Sequence, residues 1–212
     1  GGYGPNSELR MPDYVMPWEI QKTQGITYGT LSSITIHSDT LNRNYSVRIY
    51  LPPGYDNGKE YPSVYFQDGS DYLNFASAAN ILDNLIEAKM IEPVIGIFVI
   101  PTNRNNEYAL SERFKYRNFF AKELVPYIDE NYSTAGSREM RLVLGDSYGG
   151  NISVLIAVGY PELFGHLGIH SGAYQNYDYE TGYMLVNYPE SDIKIYSVWG
   201  SYEGSLTENQ RQ

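Results

Sequence analysis

The chemistry is easiest to read in the middle of the chain, at Gly145-Asp146-Ser147-Tyr148-Gly149-Gly150. A serine with glycine two positions away on either side fits a hydroxyl raised on a tight strand-to-helix turn. Such a bend leaves no room for a Cβ at the flanking positions, and it sets the serine at the first turn of a helix. Unpaired N–H groups and the helix dipole there favour negative charge developing on a bound carbonyl oxygen. The chemistry is nucleophilic attack on an acyl carbon, with Ser147 as nucleophile and the Tyr148 N–H as one oxyanion donor. The string alone is short enough to occur by chance, and the competing reading is a glycine-rich turn with an incidental serine. The setting favours chemistry: an apolar run, RLVLG, precedes the motif and a helical pattern follows it.

A second oxyanion donor has to come from a loop after another buried strand. Asp68-Gly69-Ser70-Asp71 follows the short strand pattern at residues 63–67. The N–H of Gly69 or Ser70 is the candidate donor, and Asp71 lies at the same pocket rim. The competing reading is an ordinary turn.

The elements that must position these residues follow from periodicity. Residues 30–37 alternate loosely. Tyr45, Val47, Ile49 and Leu51 alternate with Ser46, Arg48 and Tyr50, as in a half-buried antiparallel strand. Residues 77–90 read as a helix with Ile81, Leu82, Leu85 and Ile86 on one face. Residues 93–100 (PVIGIFVI) are apolar throughout, as in a strand covered on both faces. Residues 111–131 read as a second helix, capped by Ser111 and bent at Pro126. Residues 141–145 are a buried strand, 149–160 a helix, 164–170 and 193–199 further strands. Two antiparallel-looking strands followed by repeated strand–helix–strand units predict an α/β domain with a mostly parallel sheet and helices on both faces. Residues 1–25, with no sustained period, read as an irregular leader, and 26–212 as the domain.

Composition narrows the function. The 212 residues are enough for one domain with a substantial core. There is no cysteine, which excludes a disulfide scaffold, a zinc ribbon and a thiol nucleophile. Fifteen Lys and Arg stand against 25 Asp and Glu, a net charge of −10 that repels phosphate backbones and anionic membranes. The longest apolar run, near residues 93–101, is too short to span a bilayer. No HxH, HExxH or DxDxDG pattern occurs, so no metal and no cofactor is expected. The 22 tyrosines suit strand packing, and also a surface that meets sugars. A start at Gly1-Gly2 and the lack of cysteine lean towards an exported protein.

Four blocks then carry a resemblance: YSVRIYLPPGY (45–55), YPSVYFQDG (61–69), ELVPYIDENY (123–132) and RLVLGDSYGG (141–150). In this order and at these intervals they resemble the "Putative esterase" family of α/β-hydrolases. That family includes enterochelin, feruloyl and acetyl-xylan esterases, S-formylglutathione hydrolases and mycolyltransferases. The resemblance runs over about residues 30–210 and points to no single substrate. It implies a Ser–acid–His triad in that chain order. Ser147 matches the nucleophile, and Glu203, in Gly200-Ser201-Tyr202-Glu203, matches the acid that orients the histidine; the competing reading is an exposed loop glutamate. Residues 103–108 (NRNNEY) resemble a segment on the active-site side of the sheet, where Arg104 and Glu107 either shape the pocket or form a structural ion pair.

One departure matters. The family's histidine follows its acid in a GGH-like segment, whereas His37, His166 and His170 all precede Glu203. Three readings stay open: these residues are a piece of a longer chain, His170 at the pocket rim takes over a role, or the protein does no chemistry. The first is preferred, because residues 193–199 would otherwise form an exposed apolar edge and residues 205–210 read as the start of a helix. His37 and His166 read as surface or loop residues. The expected function is a serine carboxylic-ester hydrolase acting on a small-molecule or carbohydrate ester, without nucleic acid or membrane partners. The alternatives are an acyltransferase, or a non-catalytic module that binds through the tyrosines of residues 174–188, where such folds insert a lid.

Overall fold

The structure, a computed structural model, describes residues 11–177, 179–187 and 192–203. A seven-stranded sheet forms its centre, in the order β1-β2-β4-β3-β5-β6-β7. The strands are β1 (Thr30–Ser38), β2 (Arg43–Leu51), β3 (Ser63–Phe66), β4 (Ile95–Ile100), β5 (Arg141–Asp146), β6 (His166–His170) and β7 (Lys194–Val198). β2 runs antiparallel to both its neighbours, and the pairs from β4 to β7 are parallel. This is the mostly parallel α/β sheet that the strand patterns predicted. β4 is buried along nearly its whole length, in keeping with its unbroken apolar sequence. A large core fills one face of the sheet, around Tyr45, Tyr65, Phe120 and Ile152. A smaller one around Phe66, Phe98 and Leu82 fills the other.

The helices differ from expectation in instructive ways. The segment after β3 is not a turn but a short helix, α1 (Gly69–Asn74), followed by α2 (Ala78–Glu87). α1 is too short to show an apolar period. Residues 104–109 form α3 (Arg104–Ala109). The next helix therefore starts later than expected: α4 (Arg113–Phe119) has Glu112 at its N-cap position, and Ser111 lies in the preceding turn. The helix continues through a π-helical segment, Phe120–Leu124, into α5 (Val125–Asn131). Pro126 explains the π segment, since it has no N–H to donate and its ring crowds the carbonyl one turn back. α6 (Tyr148–Gly159) is buried nearly throughout, and α7 (Glu180–Asn187) packs against it.

Residues 11–25, read as part of an irregular leader, lie along α2. Asn84 Nδ2 donates to the carbonyls of Trp18, Glu19 and Gln21, and Asn80 Nδ2 to that of Ile20. At the opposite edge of the sheet, all five residues of β7 are exposed. The helix expected at residues 205–210 lies outside the described residues.

Candidate active site

β5 ends at Asp146, α6 begins at Tyr148, and Ser147 forms the bend between them with φ 56° and ψ −118°. A residue bearing a Cβ pays about 1–3 kcal/mol to hold such a conformation. The surroundings impose it. Ser147 N–H donates to His170 O (2.9 Å), and Ser147 O accepts from Ala173 N and Asn151 N (both 3.1 Å). A Cβ on Gly145 would overlap the backbone of Gly149, so the strand and the helix approach each other only because that position is glycine. Ser147 is half-buried, and among the described residues no hydrogen bond engages its hydroxyl.

The loop after β3 packs directly against this bend. Asp68 takes a left-handed conformation (φ 53°, ψ 45°) and hands the chain to α1. Gly69 and Ser70 are the first residues of that helix, so their N–H groups have no partner within it. Gly69 sits so close to Phe98 that a Cβ would overlap the β4 backbone. Asp68 is held firmly. Its N–H donates to Tyr108 Oη (3.0 Å), and its carboxylate accepts from Arg104 Nε (2.8 and 2.9 Å) and Nη2 (2.7 Å). Arg104 Nη2 also reaches Asp146 O at 3.4 Å. One guanidinium therefore ties the Gly69 loop to the residue before Ser147. Burial pushes the Asp68 carboxyl above its ordinary value, with Arg104 pulling the other way.

A cleft of about 420 Å³ opens beside the bend. Asp68, Asp71, Asp146 and Arg104 form its polar wall, and Tyr72, Phe75, Ala76 and His170 complete it. Ser147 is not itself part of the wall. It adjoins the cleft through Asp146, its predecessor, and through His170, whose carbonyl holds its N–H. His170 Nδ1 lies 2.8 Å from Tyr72 Oη, and burial lowers the imidazole pKa. The Asp146 carboxyl is raised, chiefly by desolvation and then by Asp68, Glu203 and Asp71, against the pull of Arg104. These charges share one electrostatic neighbourhood. Among the described residues no group of three or more His, Asp or Glu is placed to hold a metal ion.

Glu203 comes to the same neighbourhood on the turn after β7. Its Oε1 accepts from Ser171 Oγ (2.7 Å) and Gly200 N (2.5 Å). Ser171 directly follows His170, and its N–H is bonded to Val198 O. Ser147, Tyr148, Gly69, Ser70, Asp71, Arg104, His170 and Glu203 thus gather at the C-terminal ends of the parallel strands.

Glu107 does not join them. It is fully buried beneath β2 and absent from the cleft wall, which corrects its expected place in the pocket. Its carboxylate accepts from Tyr45 Oη (2.8 Å), Thr102 N (3.1 Å), Thr102 Oγ1 (2.5 Å) and Arg43 Nη1 (3.1 Å). Its ion pair is with Arg43, and Arg104 pairs with Asp68 instead. The expected lid also differs. α7 is fastened to α6 by Thr181 Oγ1 donating to Asn151 Oδ1, and to α4 by Arg113 with Glu180. None of the described residues of 174–187 lines the cleft. His37 is exposed beside Asn44, and His166 meets Glu139 O, both away from the cleft. Tyr72, Phe75, Asp68 and Asp146 were missed as site residues. Asp146, next to the serine, and Asp68, next to Gly69, carried a signal in the sequence; Tyr72 and Phe75 did not.

The family model described as "Putative esterase" matches residues 38–212. The chain belongs to that family. YjcH of Bacillus subtilis (strain 168) is 30% identical over 148 residues, which is 68% of this chain and 62% of that protein. An endo-1,4-beta-xylanase/feruloyl esterase of Xylanibacter ruminicola is 30% identical over 160 residues, 69% of this chain and 22% of that protein. The crystal structure of the enterobactin esterase FES from Shigella flexneri, in the presence of 2,3-di-hydroxy-N-benzoyl-serine, superposes with a TM-score of 0.77 at 18% identity, covering 96% of this chain and 54% of that one. This chain thus spans less than two thirds of the length of each. At 18% identity the structural likeness speaks for the fold alone, and the fold is that of the α/β-hydrolases.

Proposed function

We propose that this protein is a serine carboxylic-ester hydrolase with Ser147 as nucleophile. The single observation that carries the proposal is the bend at Ser147. A strained, half-buried serine stands between a parallel strand and a helix N-terminus, beside a cleft, with its hydroxyl uncommitted among the described residues.

In this reading Ser147 Oγ attacks the ester carbonyl carbon, and its proton passes to a base. The tetrahedral oxyanion accepts from Tyr148 N–H and from Gly69 or Ser70 N–H, all fixed before substrate arrives. The carbon–oxygen bond to the alcohol breaks, and the alcohol leaves with the proton. Water then attacks the acyl-enzyme and releases the acid. The base is a histidine oriented by Glu203, other than the three in this sequence: His37 and His166 lie elsewhere, and no hydrogen bond among the described residues joins His170 to Ser147 Oγ or to Glu203. Arg104 positions the Gly69 loop against the bend through Asp68. The names of the relatives point to aromatic acyl or siderophore esters, and the Tyr72 and Phe75 wall suits a flat ring.

The test is labelling of the intact protein with a fluorophosphonate. The probe is expected on Ser147 in the wild type, and both labelling and p-nitrophenyl acetate hydrolysis should vanish in Ser147→Ala. A folded protein that stays unlabelled at Ser147 would falsify the proposal.

A further inference from the structure

His170 lines the cleft, yet the proposed reaction gives it no task. Its surroundings bear on its protonation and its direction of donation. The Tyr72 hydroxyl hydrogen needs an acceptor, and the one found for it among the described residues is His170 Nδ1 at 2.8 Å. With Tyr72 as the donor, Nδ1 accepts; the 2.8 Å separation also fits the reverse direction, and the test below decides between them. The groups facing the ring are Tyr72 from α1, Tyr196 from β7, its ring edge-on at 6.3 Å, and Asp146, its partner in the β5 register. Desolvation is what shifts the imidazole, and it favours the neutral form. A neutral imidazole that accepts at Nδ1 carries its proton on Nε2. No acceptor meets that Nε2–H among the described residues.

The rest of the cleft says what would meet it. Phe75 is 59% exposed and Tyr72 half-buried, so one wall offers aromatic surface. Asp71 and Asp146 stand on the polar side and oppose an anionic ligand. Arg104 pulls on Asp146 but is paired with Asp68, so one guanidinium stands against three carboxyl groups in the wall.

We infer that His170 is a substrate-binding residue: Tyr72 holds its Nδ1, and its Nε2–H donates to an acceptor oxygen on an uncharged group with a flat apolar face. This inference rests on the esterase reading and goes further, since it names the chemistry of the group that enters the cleft. Neutral imidazole can serve as a fixed hydrogen-bond donor without transferring a proton. Tyr72 is a positioning residue, which acts by fixing the tautomer.

The test has two arms on the intact protein. In the first, the histidine nitrogens are ¹⁵N-labelled and their spectra read at neutral pH. His170 should show the Nε2–H tautomer, and Tyr72→Phe should shift it towards a mixture. An Nδ1–H tautomer in the wild type overturns the inference. In the second arm, kcat and KM are compared for methyl ferulate and for methyl cinnamate, which lacks the ring oxygens. His170→Ala should lose about ten-fold in kcat/KM for methyl ferulate, mostly through KM, and little for methyl cinnamate. His170→Gln, which keeps an N–H donor, should recover part of that loss. Equal losses on both esters down to the level of Ser147→Ala would make His170 the base and sink the proposal, as would no loss on either. If wild-type protein hydrolyses neither ester and takes no fluorophosphonate on Ser147, the esterase reading fails and this inference falls with it. If Ser147 labels normally but the two esters respond alike to His170→Ala, only this inference fails.

Discussion

Arg104 and Glu107 sit one turn apart on α3 and belong to different parts of the molecule. Arg104 turns to the cleft, grips Asp68 and touches the carbonyl of Asp146. Glu107 turns into the core and accepts from Tyr45, Thr102 and Arg43, and Arg43 in turn binds Glu112 at 2.6 Å. Both are charged, and both lie in a segment that resembles the active-site side of known esterases. What separates them is how much of their hydrogen-bonding capacity is spent. Glu107 has none to spare and no route to solvent, so it stabilises the join between β2 and α3. On the cleft side, Ser147 Oγ and His170 Nε2 have no partner among the described residues. A group left uncommitted beside a cavity is a stronger functional sign than a charged residue type in the right stretch of sequence.

The sharpest way to break this comparison is at the bend itself. Ser147→Gly should lower hydrolysis by roughly 10⁴-fold or more, since the nucleophile is gone. It should also raise stability by about 1 kcal/mol. Glycine relieves the 1–3 kcal/mol of positive-φ strain and gives back about 0.5–1 kcal/mol in unfolded-state entropy. Urea unfolding reads the second effect. A variant that loses activity and stability together would mean that the bend is not strained for function.

Glu107→Gln probes the other side. Removing the charge from a buried, fully bonded carboxylate beside Arg43 should destabilise by about 3 kcal/mol. That is a fall in Tm of roughly 6–12 °C for a chain of this size. Activity per folded molecule should stay at the wild-type level, because Glu107 is absent from the cleft wall. A large drop in kcat with an unchanged Tm would reverse its assignment.

The legibility of the molecule follows the same division. The sheet and its parallel direction were readable because PVIGIFVI and RLVLG are unbroken apolar runs and the β2 sequence alternates. The bend was readable because close packing demands glycine at 145, and a glycine demanded by geometry leaves a mark in sequence. α1 was not readable: six residues, Gly69–Asn74, cannot show a 3.6-residue period. Tyr72 and Phe75 were lost with it. The partner of Arg104 was invisible for another reason, since Asp68 is 36 positions away and only the β3–β4 pairing brings the two loops together. The tyrosines of residues 174–188 invited a lid, but Thr181 beneath Asn151 is a contact that no local pattern announces.

Arg104→Gln sharpens the comparison at intermediate scale. It leaves Asp68 with its carboxylate buried and its cation gone, which should cost about 1–2 kcal/mol and let the Gly69 loop drift from the bend. A fall of about 10- to 100-fold in kcat/KM is expected, mostly in kcat, because misplaced oxyanion donors act on the transition state. Adding Asp68→Asn should recover stability more than activity. A double variant that recovers both equally would show that Arg104 serves the fold, as Glu107 does.

The smallest effect lies in the pH dependence of stability, and it bears on whether His170 is held neutral. Its pKa in the folded protein lies below the ordinary value of 6.5. Above about pH 6.5 the imidazole is neutral in both folded and unfolded chains and contributes no pH dependence. As pH falls below that value the unfolded chain takes up the proton first, so the folded state loses stability until its own lower pKa is passed. His170→Gln has no such proton to bind, and its unfolding free energy should fall less between pH 7 and pH 5 than that of the wild type. Chemical denaturation at the two pH values, with His37→Gln as an exposed control, measures the difference. A steeper decline in His170→Gln than in the wild type would mean that the folded protein prefers the charged ring. Tyr72 would then be accepting from His170 rather than donating to it, and the cleft would present a cation where a neutral donor is expected.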